Sequence, residues 1–258
     1  MVVSGSNVSL FPAFVAHHSV AFDREVPSSF SEIPIPESIQ NAPIRRQVEF
    51  RAGRECARRA LKSLMKHLTT KHLTTSNSLV LGDAAIAVGS DREPVWPEGI
   101  VGAITHTNEL ASAAVARASD TRGIGLDVEV VMSEENAASW MAKIAAPHEV
   151  AELARAMNWS PATALTVIFS AKETLYKCLY PQVRRYFGFR AAAIESADAS
   201  GYLSVRLLET LTPELVSGCS FEGRFEICDG LVRTGMVLPS SADGKVIRRL
   251  PDSARPDG

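Results

Sequence analysis

The chain has 258 residues, room for one large domain or two small ones. Hydrophobic residues make up 46% and charged residues 22%, an ordinary globular balance that supports a sizeable core. Lys plus Arg number 27 against 29 Asp plus Glu, so the net charge of -2 excludes a nucleic-acid binder that works by bulk positive charge.

No apolar run reaches about 18 residues, so no transmembrane helix is expected. Met1 to Ala16 lacks a basic start before its apolar stretch, so no secretory signal is read and a cytoplasmic location is expected. Cys56, Cys178, Cys219 and Cys228 form no C-x-x-C pair and read as free thiols of a reducing compartment. Any metal is then expected to be a hard cation held by carboxylates.

Residues 1–43 carry prolines at 12, 27, 34, 36 and 43 and read as short strands and loops on the body. Helical spacing of apolar residues runs from about Ile44 to Leu68, with Arg46, Arg51, Arg54, Arg58 and Arg59 on the other face. Lys66–Thr70 is repeated at once as Lys71–Thr75. A period of five suits neither helix nor strand, so this is a local duplication in a surface loop, with His67 and His72 solvated. Strands are expected at 84–88, 101–105, 111–117 and 123–131. Ser133 to about Met157 reads as helix broken near Pro147, and Pro161 opens a helix ending near Tyr180. Late strands are expected at 192–195, 202–207, 221–228 and 231–238, with a hairpin turn at Asp229-Gly230. The tail from Ser240 is polar and is expected to be mobile. The whole is α+β.

Four constellations carry chemistry. In Gly125-Leu126-Asp127-Val128-Glu129, strand alternation puts Asp127 and Glu129 on one side. Two such carboxylates suit a hard ion such as Mg²⁺, although D-x-E also fits a strand edge with two solvated acids. On the helix that follows, Glu173 and Lys177 share a face at i and i+4, with Lys172 beside it. They form a surface ion pair or a third carboxylate with two phosphate-binding lysines. The arginine row has few partnering acids and suits an anionic ligand. Pro94-Val95-Trp96-Pro97 makes a stiff loop, and Thr105-His106-Thr107 at a strand end suits a phosphate, although a lone His is more often structural. There is no P-loop, no dinucleotide-binding glycine motif and no Ser-His-Asp arrangement, so the nucleophile is expected to come from the partner.

Taken in order, these segments resemble the Sfp-type 4'-phosphopantetheinyl transferases, and most closely the enterobactin-synthetase component D branch. The resemblance spans roughly residues 44–195, through EFRAGRECARRAL (Glu49–Leu61), REPVWPEGIVGAITHT (Arg92–Thr107), GIGLDVE (Gly123–Glu129), FSAKETLYKCLYP (Phe169–Pro181) and YFGF (Tyr186–Phe189). It implies two similar α+β halves in one chain, residues 1–121 and 122–258, related by pseudo-twofold symmetry with the active site in the cleft between them. It implies transfer of the 4'-phosphopantetheine group of coenzyme A to the serine of an apo carrier protein of peptidyl, aryl or acyl type, with release of 3',5'-ADP. Mg²⁺, or Mn²⁺ in its place, would be held by Asp127, Glu129 and Glu173. Glu173 would be the general base for the carrier serine. Lys172 and Lys177 would neutralise phosphate charge, and His106 and Thr105 would contact a phosphate. Arg46 and Arg54 would hold the 3'-phosphate of CoA, and Arg92-Glu93-Pro94 would lie along the adenine.

The pattern departs from the family at Thr105, where a Ser is usual, and at Phe169, where a Trp is usual. Val88 replaces a basic residue of some relatives. Arg184 and Arg185, with Tyr186, are candidates to meet an acidic carrier helix, whereas Phe187 and Phe189 are expected in the core. A monomer with no nucleic-acid or membrane partner is expected. Two other readings stand beside this one, a Mg²⁺-dependent CoA pyrophosphohydrolase and a non-catalytic carrier- or CoA-binding scaffold.

Overall fold

The computed structural model describes residues 9–70, 86–90, 92–240 and 248–249. The second KHLTT copy, the start of the 84–88 segment and nearly all of the tail lie outside the described residues. The elements run β1 (Ala16–Ala21), α1 (Glu37–Gln40), α2 (Ile44–Thr70), β2 (Ala87–Val88), β3 (Pro94–Val95), β4 (Ile100–His106), β5 (Leu110–Arg117) and β6 (Thr121–Val130). They continue with α3 (Glu134–Ile144), α4 (Pro147–Met157), α5 (Pro161–Val183), a 3₁₀ turn (Phe189–Ala191), β7 (Ala192–Ala197), β8 (Tyr202–Leu207), β9 (Cys219–Cys228), β10 (Leu231–Pro239) and β11 (Arg248–Arg249). The fold is mixed α+β, as expected.

Local chemistry explains the element ends. Ser133 and Ser160 cap α3 and α5 by accepting from Asn136 N–H and Thr163 N–H, and Pro147 and Pro161 sit in the first helical turn where no donor is lost. Asn158 closes α4 in the left-handed region. At the expected hairpin, Asp229 and Gly230 both have positive φ, 52° and 72°, which suits the right-handed twist of the β9 and β10 pair.

Among the described residues, two sheets hold most of the strands, and β2 and β3 form a separate antiparallel pair. An antiparallel sheet of order β1-β5-β4 packs on α2, whose Val48, Ala52, Cys56, Ala60 and Leu64 meet Ala16, Ala111, Ala113 and Val115. A second sheet of order β6-β10-β9-β8-β7 packs on α5, with α3 and α4 beyond it. The edge strands β4 and β6 share a third apolar cluster through Ala103, Ile124 and Leu126. Alternation along β6 therefore splits the strand. Ile124 and Leu126 face this cluster, and Gly123, Gly125, Asp127 and Glu129 point to the α5 side.

The two glycines set how close α5 comes. A Cβ on Gly125 would lie 1.9 Å from the Thr174 carbonyl oxygen, and one on Gly123 would lie 2.1 Å from that of Cys178. Helix backbone occupies the space that side chains would fill. The same approach brings α5 within reach of the two carboxylates further along β6. Among the described residues, no helix is long and apolar enough to cross a membrane.

Candidate active site

Asp127 is the centre of the site. It is 2% exposed, and its Oδ1 accepts from Lys177 Nζ at 2.7 Å and from Thr105 Oγ1 at 3.0 Å. One strand of each sheet and α5 thus converge on a single carboxylate. Lys177 Nζ also donates to the Leu126 carbonyl at 3.2 Å. Asp127 Oδ2 is buried and has no hydrogen-bond partner among the described residues. A buried carboxylate oxygen left without a partner is costly and marks a place for a cation or a donor.

Glu129 and Glu173 sense this charge. Burial, then the Asp127 carboxylate, pushes the Glu129 carboxyl up to about 8, and Glu173 adds to the rise. Burial also raises Glu173, against the pull of Lys177 and with a push from Asp127. Among the described residues, no three His, Cys, Asp or Glu side chains are gathered closely enough to cage a metal by themselves. The expected trio is therefore a set of neighbouring carboxylates and not a preformed three-ligand cage. That still fits Mg²⁺, which keeps several waters and binds through one or two carboxylates plus substrate phosphates. A divalent cation here would give the unpartnered Asp127 oxygen a partner and favour the ionised form of Glu129.

A testable consequence follows for the metal-free protein. Between about pH 4.5 and 8 the folded state holds a Glu129 proton that the unfolded chain has lost, so this group's stabilisation fades as pH rises through that window. A Mg²⁺ ion held by Glu129 would displace the same proton, so its affinity is expected to climb from pH 6 to pH 8. Thermal melts in chelator and in a Mg²⁺ series at several pH values check both signs.

Next to this centre lies a cationic pair. Arg46 Nη1 donates to His106 Nε2 at 3.0 Å and sits 3.6 Å from Glu49. Burial lowers the His106 pKa, with Glu49 opposing and Arg46 assisting, which favours the neutral ring that accepts from Arg46. Arg54 is buried, and burial with the nearby Arg46 charge lowers it to about 10. Its Nε and Nη2 donate to the carbonyls of Ile86 and Ala87, and its guanidinium lies 4.6 Å over Phe50. Two arginines close enough to repel each other suit an anion between them.

Beside Lys177 opens a cavity of about 460 Å³. One wall comes from Arg92, Glu93, Pro94, Trp96 and β4, and the other from Tyr176, Lys177 and Tyr180 on α5 with Arg184 just past its end. Arg184 Nη1 approaches Glu93 Oε1 to 4.0 Å across it. Sequence reasoning singled out the Arg92–Pro94 segment and the Pro-Trp-Pro loop but missed Tyr176 and Tyr180, whose i, i+4 spacing resembles any amphipathic helix.

Several expected roles change. Lys172 does not join the cluster. It is buried and donates to Glu149 Oε2 at 2.9 Å and to the Ile144 carbonyl at 3.0 Å, because one helical step turns it about 100° away from Glu173. The Thr105 hydroxyl spends its one proton on Asp127, so it has none to give a phosphate. The five-arginine face divides. Arg58 and Arg59 both bond the buried Glu55, and Arg51 holds the carbonyls of Pro27 and Ile33. Phe187 is core and Phe189 packs 5.4 Å from Phe169, whereas Tyr186 is 74% exposed and Arg184 and Arg185 are exposed.

Residues 36–116 match the family model of the 4'-phosphopantetheinyl transferase N-terminal domain, and residues 123–224 match that of the 4'-phosphopantetheinyl transferase superfamily. The enterobactin synthase component D of Salmonella typhi is 32% identical over 209 residues, covering 78% of each chain. The chain belongs to the 4'-phosphopantetheinyl transferase superfamily.

Two further relatives carry other names. The 4'-phosphopantetheinyl transferase PptT of Mycobacterium tuberculosis is 30% identical over 80% of this chain and 86% of its own. The transferase Svp of Streptomyces mobaraensis is 29% identical over 79% of this chain and 77% of its own. Component D and the other transferases thus match almost equally, so membership holds for the superfamily and not for the component D branch alone. This transferase moves 4'-phosphopantetheine to carrier proteins, and the family uses coenzyme A and Mg²⁺.

Proposed function

We propose that this transferase joins CoA to the carrier serine at the Asp127, Glu129, Glu173 and Lys177 cluster, in a cleft between halves 1–121 and 122–258 of pseudo-twofold related fold. The observation that carries the reading is the orphaned, buried Asp127 Oδ2 beside a lysine and two carboxylates of raised pKa. Asp127 and Glu129, with Glu173, would hold Mg²⁺. When bound, that ion supplies positive charge to the pyrophosphate oxygens as charge builds on them.

The chain's own groups do the rest. Glu173, raised by burial, is suited to take the proton of the carrier serine hydroxyl near neutral pH. The serine oxygen then bonds the β-phosphorus of CoA, and the bond from that phosphorus to the bridging oxygen breaks. The electron pair and charge leave with 3',5'-ADP. Lys177, held by Asp127, stands ready for a phosphate oxygen, and Thr105 orients Asp127 from the opposite strand. Arg46 and Arg54, with His106 between Arg46 and the centre, would take the 3'-phosphate, and the Arg92–Pro94 turn would border the adenine.

The 3'-phosphate is remote from the reacting phosphorus. Arg46→Ala is therefore expected to raise the KM for CoA about tenfold while kcat stays within about twofold, which initial rates over a CoA series will show. The assignment as a whole is tested by intact mass of apo carriers after incubation with CoA. A gain of one phosphopantetheinyl group that needs Mg²⁺ supports it. CoA consumed without carrier gain would instead mean a pyrophosphohydrolase, and neither event would mean a scaffold.

A further inference from the structure

Three buried hydroxyls lie where α5 crosses β10, beside Asp127 on the same face of the sheet. Thr234 is fully buried and stands opposite Asp127 in the β10–β6 register. Its Oγ1 lies 2.8 Å from Ser170 Oγ, 2.5 Å from Thr174 Oγ1 and 3.0 Å from the Ser170 carbonyl oxygen. Ser170 and Thr174 are themselves buried, and neither they nor Thr234 is left without a partner. A hydroxyl has one proton and two lone pairs. With Thr234 donating to the Ser170 carbonyl and accepting from both helix hydroxyls, that capacity is filled.

This cluster is more than filling for a core. Serine and threonine inside a helix commonly bond back to their own helix. Here Ser170 and Thr174 reach across to the sheet instead, and apolar residues could fill the same space. A satisfied polar group in a low-dielectric interior selects one arrangement over near neighbours. The two helix residues bracket Glu173, at three positions before it and one after. Thr174 is also the residue whose carbonyl rests over Gly125. A rotation of α5 by one residue would swing Glu173 about 100° away from Asp127.

We propose that Thr234 is a positioning residue for the transfer reaction. Through Ser170 and Thr174 it holds α5 at the rotation that aims Glu173 and Lys177 at Asp127 and Glu129. The proposal rests on the assignment of Glu173 as base made above.

The test is steady-state kinetics on the full chain with CoA and an apo carrier, comparing T234V, T234S and E173Q with the wild type. T234V keeps the shape and removes the hydroxyl, and T234S keeps the hydroxyl. T234V is expected to lose about tenfold in kcat with the KM for CoA within about twofold, and T234S to restore most of the loss. Unchanged kcat in T234V, whatever its melting temperature, would overturn the proposal. So would an equal loss in T234S, which would assign the effect to the methyl group. Should T234V not fold, the helix-side variant S170A/T174V removes both helix hydroxyls from the cluster, and the same kcat and KM split decides. Wild-type turnover in E173Q would sink the base assignment and this proposal with it. A loss in E173Q with none in T234V would sink the positioning role alone.

Discussion

Glu173→Gln is expected to slow phosphopantetheine transfer by about 10³-fold while the protein folds normally and binds CoA with nearly unchanged affinity. The side chain is the same size, so α5 keeps its packing on β6. What is lost is the carboxylate proposed to take the serine proton. Burial raises the Glu173 pKa, which brings its basicity towards the range where proton transfer from a hydroxyl is efficient. The charge is also lost from a coupled group. Glu129 no longer feels the Glu173 carboxylate from α5, so it becomes easier to ionise. The Mg²⁺ dependence of the melting temperature should therefore shift as well as the rate. Single-turnover mass analysis separates these effects, because it follows chemistry without carrier release. A Gln variant that loads the carrier at the wild-type rate would assign the base elsewhere. A variant that loses CoA binding in proportion to rate would make Glu173 a ground-state ligand instead.

Lys172→Met is expected to behave in the opposite way, with about 3–5 kcal/mol less stability and little direct effect on CoA recognition. The ammonium is buried with Glu149, and the pair does three jobs at once. It closes the end of α3 through the Ile144 carbonyl, ties α4 to α5, and leaves Glu149 Oε1 to accept the Ile194 N–H of β7. Desolvation lowers the Lys172 pKa, opposed by Glu149. Methionine fills the volume but leaves the Glu149 carboxylate buried without its counter-charge, which is where the cost arises. Urea denaturation gives the loss of stability, and CoA titration of the folded fraction gives the affinity. If Lys172 were a phosphate ligand, affinity would fall and the denaturation midpoint would hardly move.

Adjacent residues Lys172 and Glu173 show why part of the site was legible in the sequence and part was not. The spacing of Glu173 and Lys177 follows from helix periodicity, and that of Asp127 and Glu129 from strand alternation. Local geometry of this kind survives in any tertiary context, so both pairs were visible. The side to which Lys172 turns depends on which neighbour supplies a carboxylate, and Glu149 lies 23 residues away on another helix. The arginine row was visible as a pattern. Its division into Arg46 and Arg54, proposed above for the 3'-phosphate, and Arg51, Arg58 and Arg59, which bond the chain's own groups, depended on where Glu55, Phe50 and two loop carbonyls came to rest. Thr105 looked like a phosphate contact until β4 met β6 and its proton went to Asp127.

By itself the sequence determined most of the longer helices and strands, the Asp229-Gly230 hairpin and the carriers of charge, together with a family resemblance spread over five segments. Each depends on residues close along the chain, or on a pattern read in order. Only the tertiary structure decided that Gly123 and Gly125 are spaces for helix backbone, that the Ser170, Thr174 and Thr234 hydroxyls meet between α5 and β10, and that one oxygen of Asp127 is buried with no partner among the described residues. Those facts come from two backbones meeting at van der Waals distance and from which lone pairs remain unfilled once they have met. Neither quantity exists until residues far apart in the chain share the same space.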